Sequence, residues 1–167
     1  MYNQNYPKKL VKVIYSVTLA LAIALPNSFA YGKDKNLNTK APHIFGFVQS
    51  PPTRAKNVTH SFHVQLPQDS GLLSQITVDF PYGLRASKNI SVFDDSNRKI
   101  NTNVLIEGEK VSLIFPQPVA SGSTLEIKMK DISIVAFPRP WLYSVSAKFV
   151  GFNSDLPIGL FQIRAYR

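Results

Sequence analysis

The side chains able to do chemistry are few, and their spacing limits what they can do. The chain has three histidines, His43, His60 and His63, and no cysteine. His60 and His63 stand three apart in a stretch that reads as a β-strand, which sends them to opposite faces. Without a bulge they would not chelate one ion, and no cysteine or run of carboxylates completes a ligand set. Asp94-Asp95 resembles a fragment of a calcium loop but lacks acids at alternate positions and a closing bidentate acid, so it reads as a turn. Glu107 and Glu109 flank Gly108, where a hairpin turn would leave both carboxylates in water rather than facing a glycosidic bond. No serine lies in a G-x-S-x-G elbow, and no glycine-rich loop opens a helix. The expectation is a protein without catalytic residues, metal or cofactor.

One local composition stands apart. Phe137-Pro138-Arg139-Pro140-Trp141-Leu142-Tyr143 joins the only tryptophan to two prolines and an arginine between two strand-like runs. Arg139, Trp141 and Tyr143 have the chemistry of a loop-borne binding patch, since aromatic side chains and arginine anchor interfaces and stack on sugars. The alternative is a proline-stiffened connection whose tryptophan caps the core.

The elements that must position these residues are short strands. In Lys110–Ile134, KVSLIF is followed by a Pro/Ser/Gly connection and then by TLEIKMKDISI. Leu125, Ile127 and Met129 alternate with Glu126, Lys128 and Lys130, the period of a strand with one buried face. At Asp131 the phase slips by one, which requires a bulge or a corner between two sheets. Similar runs occur at Ser61–Leu66, Gln75–Phe80, Ile90–Phe93, Lys99–Ile106, Val111–Phe115, Tyr143–Phe149 and Ile158–Tyr166. Leu84–Asn89 reads as a loop. Ile44–Val48 reads either as a short first strand or as an apolar clip, ended by Pro51-Pro52. No segment after residue 30 has helical periodicity. Seven or eight short antiparallel strands separated by turn signals make a single all-β domain, an immunoglobulin-like β-sandwich.

The first thirty residues differ. Lys8, Lys9 and Lys12 precede the apolar run Val13–Leu25, and Ser28 and Ala30 supply a small-residue cleavage site. This is the pattern of a secretory signal peptide, and a run of thirteen residues, apolar apart from Ser16 and Thr18, falls short of the about 20 that span a bilayer. The organisation is therefore a signal peptide over 1–30, a flexible lead-in over 31–50 and the β-sandwich over 51–167, with no membrane span after cleavage. Removing thirty of the 167 residues leaves 137, enough for a core that needs no disulfide. Of 19 Lys and Arg, three lie in the leader, so the remaining 16 against 10 Asp and Glu give +6. That balance suits an anionic envelope glycan, while nucleic acid is not expected of an exported domain without a concentrated basic run.

The run Ser61–Leu73 (SFHVQLPQDSGLL), with Val111–Pro116, Pro118-Val119, the alternating Leu125–Met129 and Ile158-Gly159-Leu160, resembles a family of exported cyanobacterial proteins known as a domain of unknown function (DUF 2808). The resemblance extends from about Pro51 to Tyr166 and departs from the family at Phe137–Pro140 and Gly151–Asp155. It implies export, to the periplasm or beyond, and no enzymatic residues. Together these readings lead to an exported, non-enzymatic sandwich at the cell envelope that binds a protein or an anionic polymer. The alternative is a structural or assembly subunit that pairs through a strand edge.

Overall fold

A computed structural model describes residues 40–52, 57–136 and 140–163, all within the compact unit Asp34–Arg167. The leader and its cleavage site lie outside the described residues, as do Arg139 and the end of the last strand. Among the described residues there is no helix, and hence none long and apolar enough to cross a membrane.

Among the described residues eleven strands follow one another: β1 (His43–Ser50), β2 (Asn57–Gln65), β3 (Leu73–Asp79), β4 (Leu84–Arg85), β5 (Ile90–Phe93), β6 (Lys99–Ile100), β7 (Asn103–Glu107), β8 (Lys110–Val119), β9 (Thr124–Ile134), β10 (Trp141–Phe149) and β11 (Leu156–Ile163). They form two antiparallel sheets. The first has the order β1-β2-β9-β5-β6, with β4 added to the far half of β9, and the second has the order β11-β10-β3-β8-β7. The fold is an all-β immunoglobulin-like sandwich.

The core follows from the alternation. Ile127 lies between Phe62 on β2 and Val92 on β5, and all three are fully buried. On β10, Tyr143, Val145 and Ala147 face them from the opposite sheet and are also buried. Each large apolar side chain so buried contributes roughly 1.5–3 kcal/mol over an exposed one. The phase slip in β9 is a bulge rather than a corner between sheets. Register shifts where Val58 pairs with Ile132 and His60 with Met129, Asp131 adopts φ 56°, and β9 continues along β2 with Ile132 buried.

Three strands lie beyond the eight clear alternating runs. β1 pairs with β2 from His43 onward, so the sandwich begins inside the expected lead-in. β4 is a two-residue pairing within what reads as a loop. The run Lys99–Ile106 is divided, because the chain leaves β6 in the first sheet and enters β7 in the second, turning at Asn101-Thr102. That turn closes one side of the sandwich. On the other side β1 meets β11: the Phe47 and Phe161 rings stack at 4.8 Å, and Gly159 leaves room for Ile44, whose Cγ1 would lie 2.6 Å from a Cβ there.

Candidate functional site

The aromatic segment does not form an exposed shelf. Trp141 is 1% exposed and Tyr143 fully buried, because β10 starts at Trp141 and its odd-numbered residues all point into the core. Arg139, the third residue of the expected patch, falls outside the described residues. Tyr143 stacks on Phe161 at 4.5 Å and meets the edge of Phe80 at 5.0 Å. Neither ring offers a face to a ligand.

Instead both aromatics surround a buried histidine. His60 occupies an inward position of β2, between Val58 and Phe62, and is fully buried. Its Nδ1 lies 2.6 Å from the Tyr143 hydroxyl and its Nε2 3.3 Å from Gln49 Oε1, with the Trp141 ring 6.3 Å away between centroids. Gln49 donates its Nε2 to the carbonyl of Pro51, which orients its Oε1 toward the ring. An acceptor at Nε2 means that this nitrogen carries the proton, so Nδ1 is bare and accepts from the tyrosine hydroxyl. Burial lowers the His60 pKa to about 4 and raises that of Tyr143, so both groups are neutral around pH 7. The chain Gln49–His60–Tyr143 joins edge strand β1, its neighbour β2 and the facing sheet. Buried at His60 and Tyr143, it ties the two sheets together through the core.

The signal for His60 is present in the sequence, since extending the Ser61–Leu66 alternation backwards places a polar residue on the apolar face. His63 does lie on the opposite face, stacked against Phe45 at 5.1 Å, and its Nδ1 approaches the backbone at Gly46. Among the described residues no group of three or more His, Asp or Glu side chains is placed to hold a metal ion. Asp94 does form the expected turn. Its Oδ1 accepts from the amides of Ser96 and Arg98, its Oδ2 pairs with the Arg98 guanidinium at 2.8 Å, and these bonds hold its carboxyl below the usual range. Glu107 and Glu109 are exposed at the β7–β8 hairpin, where Gly108 takes φ 61°.

Four exposed apolar side chains lie together at the end of the sandwich formed by the β2–β3 and β10–β11 connections, while others, among them Tyr82, Val135, Leu142 and Leu160, lie elsewhere on the surface. The Val150 amide donates to the Leu72 carbonyl at 2.9 Å, bringing the two loops side by side. Leu72, Val150 and Leu156 are about half exposed and Phe152 is 65% exposed. Asp69 and Asp155, both exposed, lie in the same two loops.

No family model matches the chain, and no curated protein matches its sequence. Among solved structures it is similar to BslA, a bacterial hydrophobin, at 14% identity over 75% of this chain and 94% of that chain, with a TM-score of 0.49. It is also similar to a collagen-binding domain from a Staphylococcus aureus adhesin, at 11% identity over 73% and 94% with a TM-score of 0.45. A third similarity is to the major pilin subunit BcpA of Bacillus cereus, at 14% identity over 73% of this chain and 38% of that chain with a TM-score of 0.49. No functional residue is transferred from any of them.

Proposed function

We propose that the chain is an exported, non-enzymatic sandwich of the cell envelope that binds a protein partner through the loop end carrying Leu72, Val150, Phe152 and Leu156. The observation that carries this reading is the grouping of four large apolar side chains, well exposed, three on two neighbouring loops and Leu156 at the start of β11. Scattered single apolar residues are ordinary on a surface, whereas a group of them marks an interaction site. Asp69 and Asp155 in the same loops disfavour an anionic polymer at this end, in spite of the net basic charge. Export and envelope location draw support from the leader-like segment over residues 1–30 and from the resemblance of Ser61–Leu73 to the exported cyanobacterial family.

The test is capture from envelope extract by the immobilised mature chain at low and moderate salt, beside a Leu72→Ser/Phe152→Ser variant. Apolar docking persists as salt is raised and is lost in the variant. Capture that disappears with salt, or that the variant retains, overturns the assignment of this end.

A further inference from the structure

Among the described residues the sandwich manages three of its sheet margins and leaves one open. β1 carries a bulge between Phe45 and Val48 and packs against β11. β11 contains Pro157 and Gly159 and shifts register against β10. β6 is two residues long. These are the devices by which natural sheets avoid edge-to-edge pairing. β7 has none of them: Asn103-Val104-Leu105-Ile106-Glu107 contains no proline, glycine or lysine, pairs with β8 in unbroken register and, among the described residues, has no strand on its other side.

We propose that β7 is a self-pairing edge, along which two copies of the chain join antiparallel about a two-fold axis and fuse their five-stranded sheets into one. The hairpin fixes the register. Its two-residue turn makes Glu107 and Lys110 a hydrogen-bonded pair, so Val104 and Ile106 direct their backbone N–H and C=O groups outward. Antiparallel pairing through those groups sets Val104 opposite Ile106 of the second copy and puts Leu105 on the axis facing its own copy. Leu105 is 46% exposed on the outer face, and Val104 and Ile106 pack only partly against the core, so all three gain cover from a second strand.

Charge selects the antiparallel arrangement. Glu107 and Glu109 stand exposed at one end of β7 beside Lys110, and Lys99 stands exposed just before the other, where Arg98 is already paired with Asp94. Two-fold pairing brings Glu107 and Glu109 of each copy toward Lys99 of the other, whereas parallel pairing sets the two pairs of glutamates together. A second copy is thereby a better fit than an arbitrary strand, because the edge is complementary to itself.

Sedimentation of the mature chain, together with cysteine cross-linking, tests this directly. The chain has no cysteine of its own, so a single introduced thiol reports one position. Leu105→Cys should give a disulfide-linked dimer under mild oxidation. Asn103→Cys should not, because the two copies of residue 103 would be more than about 13 Å apart and a disulfide needs Cα atoms within about 7 Å. Leu105→Lys sets two ammonium groups face to face and should weaken the dimer by about tenfold or more, with the melting temperature of the monomer retained. A monomer at all concentrations up to millimolar, cross-linking equal at both positions, or a dimer indifferent to Leu105→Lys overturns the proposal. A dimer that persists in the Leu72→Ser/Phe152→Ser variant separates this edge from the loop end.

Discussion

The Tyr143 hydroxyl on β10 donates to His60 Nδ1 on β2 across the two sheets, at 2.6 Å and out of contact with solvent. A polar bond in an otherwise apolar core is costly to leave half made, because the deserted partner keeps its desolvation penalty. Tyr143→Phe should therefore lower stability by about 1–3 kcal/mol. His60→Leu/Tyr143→Phe should cost less than the sum of the two single changes. Urea unfolding of the four proteins measures the coupling, and additive effects would mean that the hydrogen bond contributes nothing of its own.

The same pair gives the stability a pH dependence of definite sign. Folding lowers the His60 pKa to about 4 from 6.5, so between those values the unfolded chain binds a proton that the folded chain does not. Stability is then full above about pH 6.5, falls as the pH drops toward 4, and loses nothing further from this group once both states are protonated. The loss expected over that window is on the order of 3 kcal/mol. The carboxyl of Asp94, held low by its bonds to Arg98 and Ser96, loses its contribution only at lower pH. Urea midpoints between pH 4 and 7 should slope for the parent and flatten for His60→Leu/Tyr143→Phe. Equal slopes would place the titration elsewhere.

On β9, neighbouring residues should respond to the same substitution with losses of very different size. Ile127 is fully buried between Phe62 and Val92, and Ile127→Asp would place a carboxylate there without a partner. The expected loss is about 4 kcal/mol or more, enough to leave the variant largely unfolded. Lys128 points outward, pairs with Glu126 at 2.9 Å and lies over the Phe93 ring at 4.9 Å. Lys128→Asp removes both contacts and sets two acids together, for about 1 kcal/mol. Thermal melts of the two variants decide it, and similar melting temperatures would mean that the strand is not oriented this way.

How much of this was legible in the sequence depended on the range of the interaction. The alternation of Leu125, Ile127 and Met129 is local, so the half-buried strand and the slip at Asp131 could be read directly. Whether that slip was a bulge or a corner depended on β2, whose Val58 and His60 lie some seventy residues away and set the register. The crossing at Asn101-Thr102 left no break in an apolar pattern that continues from one sheet to the other. The orientation of Trp141 was undecidable for the same reason, because the apolar face of β10 continues through Tyr143 to a residue that also sits next to a proline. His60 was visible as a histidine, but its partners Tyr143 and Gln49 come from two other strands. The absence of any catalytic spacing gave no pointer to a surface, so the loop end and β7 became apparent only once exposure and strand order were known.

Trp141 carries the sharpest remaining test of where β10 begins. Its ring is 1% exposed and, among the described residues, its indole Nε1 is buried without a hydrogen-bond partner. As the only tryptophan, it should emit at short wavelength and resist quenching by iodide or acrylamide. Trp141→Ala would leave a large cavity beside His60 and should cost about 3–5 kcal/mol. Trp141→Phe keeps an aromatic ring in the same place and removes a donor that is already unsatisfied, so it should cost markedly less. The contrast between the two substitutions is what distinguishes a packing role from a binding one. A stacking platform in water would emit at long wavelength, quench readily and tolerate alanine without a change in melting temperature, and that result would move the start of β10 out of the core.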